Sequence, residues 1–269
     1  MEFLKFLEMH RTPFLNNFFE FATLPGEDTV LVVLIAILYF MFSKDSAKKI
    51  LFTTLISLNI NGIIKNIKGA TNDDLVALNC DDGYDNGEKA IKTKGDIENI
   101  QVDGLFADNG YTAVRLLSCG STLKNVSIKN IFGTYRFYGV SFTHHNVFPG
   151  EPSWFDGIFI ENVFCSKASR NHESYSAYCK AVDKAYGEGI TDRAVKNAPV
   201  IWFEGGVNCG NIVVSNINRI ETEDTEAPMI QIDENAKIDN FRIVNAYQNF
   251  VNCEDVPLIV NKGIANITD

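Results

Sequence analysis

Beyond residue 60 the apolar positions of this chain fall into short alternating bursts that recur. Each burst starts at Asn or Gly, runs apolar, any, apolar, any, and closes on a second Asn or Gly followed by one more apolar residue. The first polar members are Asn61, Asn99, Asn125, Gly157, Asn211 and Asn240, and the second are Asn66, Gly104, Asn130, Asn162, Asn216 and Asn245. Between them lie pairs such as Ile100 with Val102 and Ile158 with Ile160, the period of two that marks a strand with one buried face. A second apolar run follows each burst, centred on Val76, Val114, Val140, Ile201, Ile230 and Ile259, at 10, 10, 10, 39, 14 and 14 residues from the second polar member. Successive first members are 38, 26, 32, 54 and 29 residues apart, which suits the windings of a solenoid with loops of variable length.

A single winding cannot bury its inward side chains. Stacking windings at about 4.8 Å pairs every strand in parallel and closes a continuous apolar core. Asn and Gly suit the corners because both adopt left-handed backbone angles, and asparagines on successive windings hydrogen-bond in ladders. A leucine-rich repeat needs a leucine scaffold at a shorter, more even period. The one long interval holds residues 165–198, with helical spacing through Tyr178, Val182 and Ala185, and reads as an inserted lid or side loop.

The first 60 residues look different. Thr29 to Ser43 is uncharged; as a helix it spans about 22 Å against about 30 Å of hydrocarbon, which with tolerant flanks makes 29–43 a membrane-helix candidate. Lys44, Lys48 and Lys49 follow it, so the positive-inside rule puts that loop in the cytoplasm. Acidic residues ahead of the stretch, and no small-x-small site after it, argue against a cleaved signal. The expected division is thus a helical, membrane-associated segment over 1–60 and a mainly β solenoid over 61–269.

The chain has 269 residues and a net charge of −10, which disfavours a nucleic-acid partner because phosphate backbones are held by clustered Lys and Arg. Its six cysteines form no C-x-x-C pair, so zinc-ribbon and thioredoxin-type readings lack support. The acidic stretch Asp81 to Glu88 offers oxygen ligands without EF-hand spacing and reads as a solvated loop. Neither a metal nor a cofactor is expected.

Arg11-Thr12-Pro13-Phe14-Leu15, Leu24-Pro25-Gly26-Glu27 and Leu58 to Lys65 resemble the opening of membrane phosphatases of the phosphatidic acid phosphatase type 2 superfamily. Lys65 falls at that family's phosphate-binding lysine, but its Arg-Pro positions hold Asn72 and Asp73 and its two histidine motifs do not occur. The resemblance therefore implies a membrane remnant without phosphatase activity.

Residues 61–269 resemble the right-handed parallel β-helix of the pectin-lyase-like superfamily, nearest to the polygalacturonase-like branch of glycoside hydrolase family 28. The strongest local match is Ile67 to Leu78, where Asp73-Asp74 precedes a strand as in the family's adjacent-aspartate motif. By that resemblance Asp73 and Asp74 are the candidate catalytic acid and base. The third family aspartate has no counterpart. The family's histidine one winding later is replaced by Tyr111 and Thr112, and its Arg-Ile-Lys clamp by Tyr138 to Ser141. Tyr111, Arg115, Arg136 and His144 are the candidate substrate-binding residues. An Asx-type corner role for Asp73-Asp74 competes evenly with catalysis. Most of the aromatic stretch Tyr135 to Phe155 reads as core or lid packing.

The string Asn61 to Ile67 fits both the end of a second apolar helix and the first solenoid strand, as at a junction between two unrelated frames. Three functions stand: a polysaccharide-acting glycoside hydrolase, truncated and with an incomplete catalytic set; a non-catalytic carbohydrate-binding or adhesion solenoid; and a phosphatase fragment lacking its catalytic motifs. The partner expected is a polysaccharide, with membrane association through 29–43; the side of the membrane stays open.

Overall fold

The computed structural model describes residues 63–85, 90–251 and 254–268. The segment 1–60, and with it the expected membrane helix, lies outside these; among the described residues no helix is long and apolar enough to cross a membrane.

The chain winds so that each turn adds one strand to each of two parallel sheets. The first sheet stacks β1 (Ile63–Lys68), β5 (Ile97–Gly110), β7 (Thr122–Tyr135), β9 (Trp154–Lys167), β11 (Asn208–Glu221), β13 (Lys237–Phe250) and β15 (Ile264–Thr268) in that order. The second stacks β2 (Val76–Asn79), β6 (Val114–Leu117), β8 (Val140–Thr143), β10 (Ile201–Phe203), β12 (Ile230–Ile232) and β14 (Ile259–Asn261). Each of these six begins at the residue on which the second apolar runs are centred, and the architecture is mainly β, stacked and β-helix-like. The ambiguous string enters as strand from Ile63. The antiparallel hairpin β3 (Asp81–Asp85) with β4 (Ala90–Lys94) projects from the first winding.

The long strands of the first sheet bend at left-handed residues. Asn99 and Gly104 have φ of 61° and 81°, and the next windings repeat this at Asn125 and Asn130, then Gly157 and Asn162. Asn216 and Asn245 continue the second corner, whereas Asn211 and Asn240 hold the first-corner rung without a positive φ. The second-corner ladder is continuous: Asn245 donates to Asn216, Asn216 to Asn162, and Asn162 to Asn130, at 3.1, 3.1 and 3.0 Å. Asp103 receives the Asn130 amide at 2.7 Å.

In-register rows fill the interior. Ile100, Val126, Ile158, Ile212 and Phe241 form one row, all buried, and face a core shared with Val114, Val140, Ile201 and Ile230 of the second sheet. Each such side chain contributes about 1.5–3 kcal/mol by leaving water, so stacking is what stabilises any one winding. Of the aromatic stretch, Tyr135, Phe142 and Phe155 are core, while Trp154 is exposed.

Two helices, α1 (Glu173–Tyr186) and α2 (Ile190–Lys196), occupy the insertion between β9 and β10. The insertion is tied down at both ends. Lys167, buried, donates its Nζ to the carbonyls of Phe137 and Ala198. Its backbone N–H reaches Glu221, which also accepts from Arg219 at 3.0 Å.

Candidate functional site

The second sheet aligns Val76 with Val114 and Val114 with Val140. Counting back along these strands sets Asp74 beside Thr112 and Tyr138, and Asp73 beside Tyr111 and Phe137; the bonds from Leu75 N–H to Thr112 O and from Phe137 N–H to Tyr111 O fix that register. Arg115, one residue into β6, points away from the core between buried Val114 and Leu116. Five of the six residues singled out from the sequence thus meet at the corner leading into β2, β6 and β8.

Asp74 is the buried member of the aspartate pair, its side chain 4% exposed, and Asp73 is exposed. Arg115 Nε stands 3.0 Å from Asp74 Oδ2. Neither atom has a hydrogen-bond partner, so the N–H does not point along the line between them and the contact is an ion pair only. Burial raises the Asp74 carboxyl above its ordinary pKa; Arg115 opposes the rise and the adjacent Asp73 charge adds to it. Asp73 Oδ1 accepts the backbone N–H of the next residue, Asp74, at 2.9 Å, one residue short of the N–H that an Asx turn would engage.

Tyr111 packs on Phe137 at 4.6 Å between ring centroids and on Tyr178 of α1 at 5.7 Å. Burial raises its phenol, and the Asp74 and Asp73 charges add to this while a hydrogen bond with Tyr178 works against it. Arg136 is wholly buried beneath these rings, 4.4 Å from the Tyr178 ring centre. Its Nη2 donates to Thr71 O and, at 2.9 Å, to Asn72 Oδ1. Arg136 thus braces the corner that carries the aspartates and has no surface to offer a substrate.

His144 lies elsewhere, past the far end of β8. Its Nε2 is 2.8 Å from Glu151 O and its Nδ1 accepts from Asn146 N–H, so Nε2 carries the proton and is committed to that carbonyl. The neighbouring Cys119 thiol, 3.3 Å from Nε2, is buried and its pKa is raised by that burial, so the pair is structural. His144 directly follows the end of β8 and His145 lies in the turn beyond it, at φ 47°. Asp81, expected in a solvated loop, is fully buried: it accepts the Cys119 and Ser121 N–H groups at 2.6 and 2.9 Å. Among the described residues no cluster of His, Cys, Asp or Glu could hold a metal ion.

Sequence reasoning did not single out the continuation of this face along the solenoid axis. The register Arg115, Ser141, Trp202, Gln231 puts one side chain on the outer side of each winding, of which Ser141 is buried and the other three are partly exposed. Trp202 stacks on Tyr138 at 4.8 Å with 12° between the planes, and its indole N–H bonds Asp233 Oδ2 at 2.8 Å. Gln231 donates to the other Asp233 oxygen at 2.6 Å. Glu204 accepts the N–H groups of His144 and His145 at 2.5 and 2.9 Å. Burial pushes the Glu204 carboxyl up, but these bonds and that of the His145 ring outweigh it and hold it below the usual range. The 39-residue interval hides Trp202 from simple periodicity, although counting from Ile201 as a strand start recovers it.

Comparison with protein-family models, with curated proteins and with solved structures finds no match for this chain.

Proposed function

We propose that this protein is a carbohydrate-binding β-solenoid of the pectin-lyase-like kind, which holds a polysaccharide along the outward face of the second sheet without cleaving it. The observation that carries the reading is the contact of Arg115 with Asp74 inside a corner where Asp73 is already bonded to the Asp74 backbone. Inverting hydrolysis needs an acid and a base about 6.5–9.5 Å apart with a water between. Here the two candidates are chain neighbours in mutual contact, and the more buried one is held against a guanidinium. The rest of the face offers what sugars take from proteins: aromatic rings at Tyr138 and Trp202, and planar polar groups at Gln231, Asp233 and Glu204.

A hydrolase reading draws on one observation, the raised Asp74 carboxyl, which suits a general acid. The discriminating experiment titrates the full chain with plant cell-wall polysaccharides by calorimetry and assays the same mixtures for reducing ends. Binding with no release, retained in a double Asp73→Asn, Asp74→Asn variant, is the expected result. Release that the double variant abolishes would establish the hydrolase instead. In this proposal the stretch 29–43 tethers the solenoid to a membrane, which co-flotation of the chain with lipid vesicles tests.

A further inference from the structure

Resting on the glycan reading above, we infer that the polymer is neutral and that this face rejects uronic-acid chains. A polyuronate presents one carboxylate per sugar and is held by cations, best by the planar fork of arginine. The outward row of the second sheet and the rows flanking it carry Asp73, Asp74, Glu204 and Asp233 against two cations, Arg115 and Lys262.

The Arg115 charge is met by Asp74 at 3.0 Å, and Lys262 stands only at the last rung, after β14. Arg136 is no reserve, being wholly buried and turned toward Thr71 and Asn72. The middle of the face, Trp202 and Gln231 beside the buried Ser141, has no cation. An incoming carboxylate there meets Glu204 and Asp233 within a Debye length of about 10 Å at 0.1 M salt, so its charge is opposed and only weakly screened.

The same carboxylates are well placed for hydroxyl donors. Asp233 is fixed by Trp202 and Gln231, and Glu204 by two backbone N–H groups, so their orientation is settled before any ligand arrives. Both Asp233 oxygens and Glu204 Oε1 keep acceptor capacity beyond the one bond each makes, whereas Glu204 Oε2 already takes both N–H groups. Neutral hexose chains bring hydroxyl donors and apolar C–H faces, matching these acceptors and the Tyr138–Trp202 rings.

The test is calorimetric titration of the full chain with cellohexaose, mannohexaose and a galactan hexamer, and separately with hexagalacturonate, at 50 and 300 mM salt. The expected result is binding of at least one neutral hexamer, at least tenfold tighter than hexagalacturonate and nearly independent of salt. Trp202→Phe should fold and weaken it several-fold, whereas Gln231→Lys, placing a cation on the middle rung, should raise hexagalacturonate affinity in a salt-sensitive way. Hexagalacturonate binding as tight as or tighter than the neutral hexamers in the unmodified protein overturns the inference and leaves the glycan reading standing. Binding of none of the four, with folding verified by circular dichroism, overturns both.

Discussion

Replacing Asn162 by Ala and by Gly separates the two roles of the corner asparagines. Asn162 has φ 58°, donates to Asn130 at 3.0 Å and accepts from Asn216 at 3.1 Å. Either substitution removes both bonds, at about 1 kcal/mol each. Alanine must in addition hold a left-handed backbone, which costs roughly another 1–2 kcal/mol, while glycine gives up about 0.5–1 kcal/mol of backbone entropy, so Ala should lose about 3–4 kcal/mol and Gly about 2.5–3. Asn211 is the internal control, because it makes the same kind of ladder contact, accepting from Asn240 at 3.1 Å, without a positive φ. There the order should reverse, Gly being worse than Ala by about 0.5–1 kcal/mol through backbone entropy. Urea unfolding of the four variants at constant slope gives the differences directly. The same rank order of Ala and Gly at both positions would refute the argument that corner conformation, rather than the amide ladder alone, selects these residues.

Three further outcomes follow from buried groups. Arg115→Met leaves the nearly buried Asp74 without its counter-charge and should cost about 1–3 kcal/mol at pH 7. Because the folded Asp74 pKa lies above its unfolded value, that penalty applies above the folded pKa and fades as the pH falls through it. The urea midpoint of the variant should therefore lie below that of the parent at pH 7 and approach it as the pH is lowered, and a loss that does not change with pH would exclude the pairing. Burial, helped by Arg219, pulls Lys167 down to about 7, so between that value and the ordinary lysine range the unfolded chain binds the extra proton. Stability should accordingly rise with pH from about 7 to 10 by a few kcal/mol, about 1.4 per pKa unit, and Lys167→Met should flatten the rise. Gly133→Ala places a methyl group against the Ala107 carbonyl oxygen at φ 112°, and should cost more than about 3 kcal/mol or prevent folding, read as loss of the cooperative melt.

How much was legible in the sequence divides along physical lines. The strands were, because period-two alternation and Asn or Gly corners are local consequences of a winding whose interior must be apolar. Ile100, Val126, Ile158, Ile212 and Phe241 could be aligned from spacing alone, and they pair as aligned. The neighbours of Asp73 and Asp74 one winding later were also readable, since parallel register converts sequence offset into position. What spacing could not reveal was burial and direction. Arg136 looked like a free cation near the aspartates, and its burial depends on α1, whose Tyr178 covers it from 42 residues away in sequence. Likewise Asp81 looked like part of a hydrophilic loop, although its carboxylate takes two N–H groups and the Ser121 hydroxyl from the next winding. A polar side chain satisfied by backbone from another turn carries no local mark of its burial.

Arg136 also links the insertion to the aspartate corner. Tyr178 covers the guanidinium from one side, and Nη2 holds Thr71 and Asn72, the two residues immediately before Asp73. Its Nε and Nη1 have no hydrogen-bond partner, so the buried charge rests on one forked nitrogen and on aromatic faces. Lysine retains the charge but lacks the planar fork, and methionine retains only the bulk. Arg136→Lys and Arg136→Met should therefore both loosen the corner, seen as faster amide exchange at Asp73 and Asp74, and both should weaken glycan binding, while α1 keeps its packing through Tyr175 and Val195. Methionine should be the more stable of the two, because it leaves no buried cation to satisfy. Equal exchange at Asp73 and Asp74 in all three proteins would show that the corner holds itself, and that the arginine serves only to fill the space under α1.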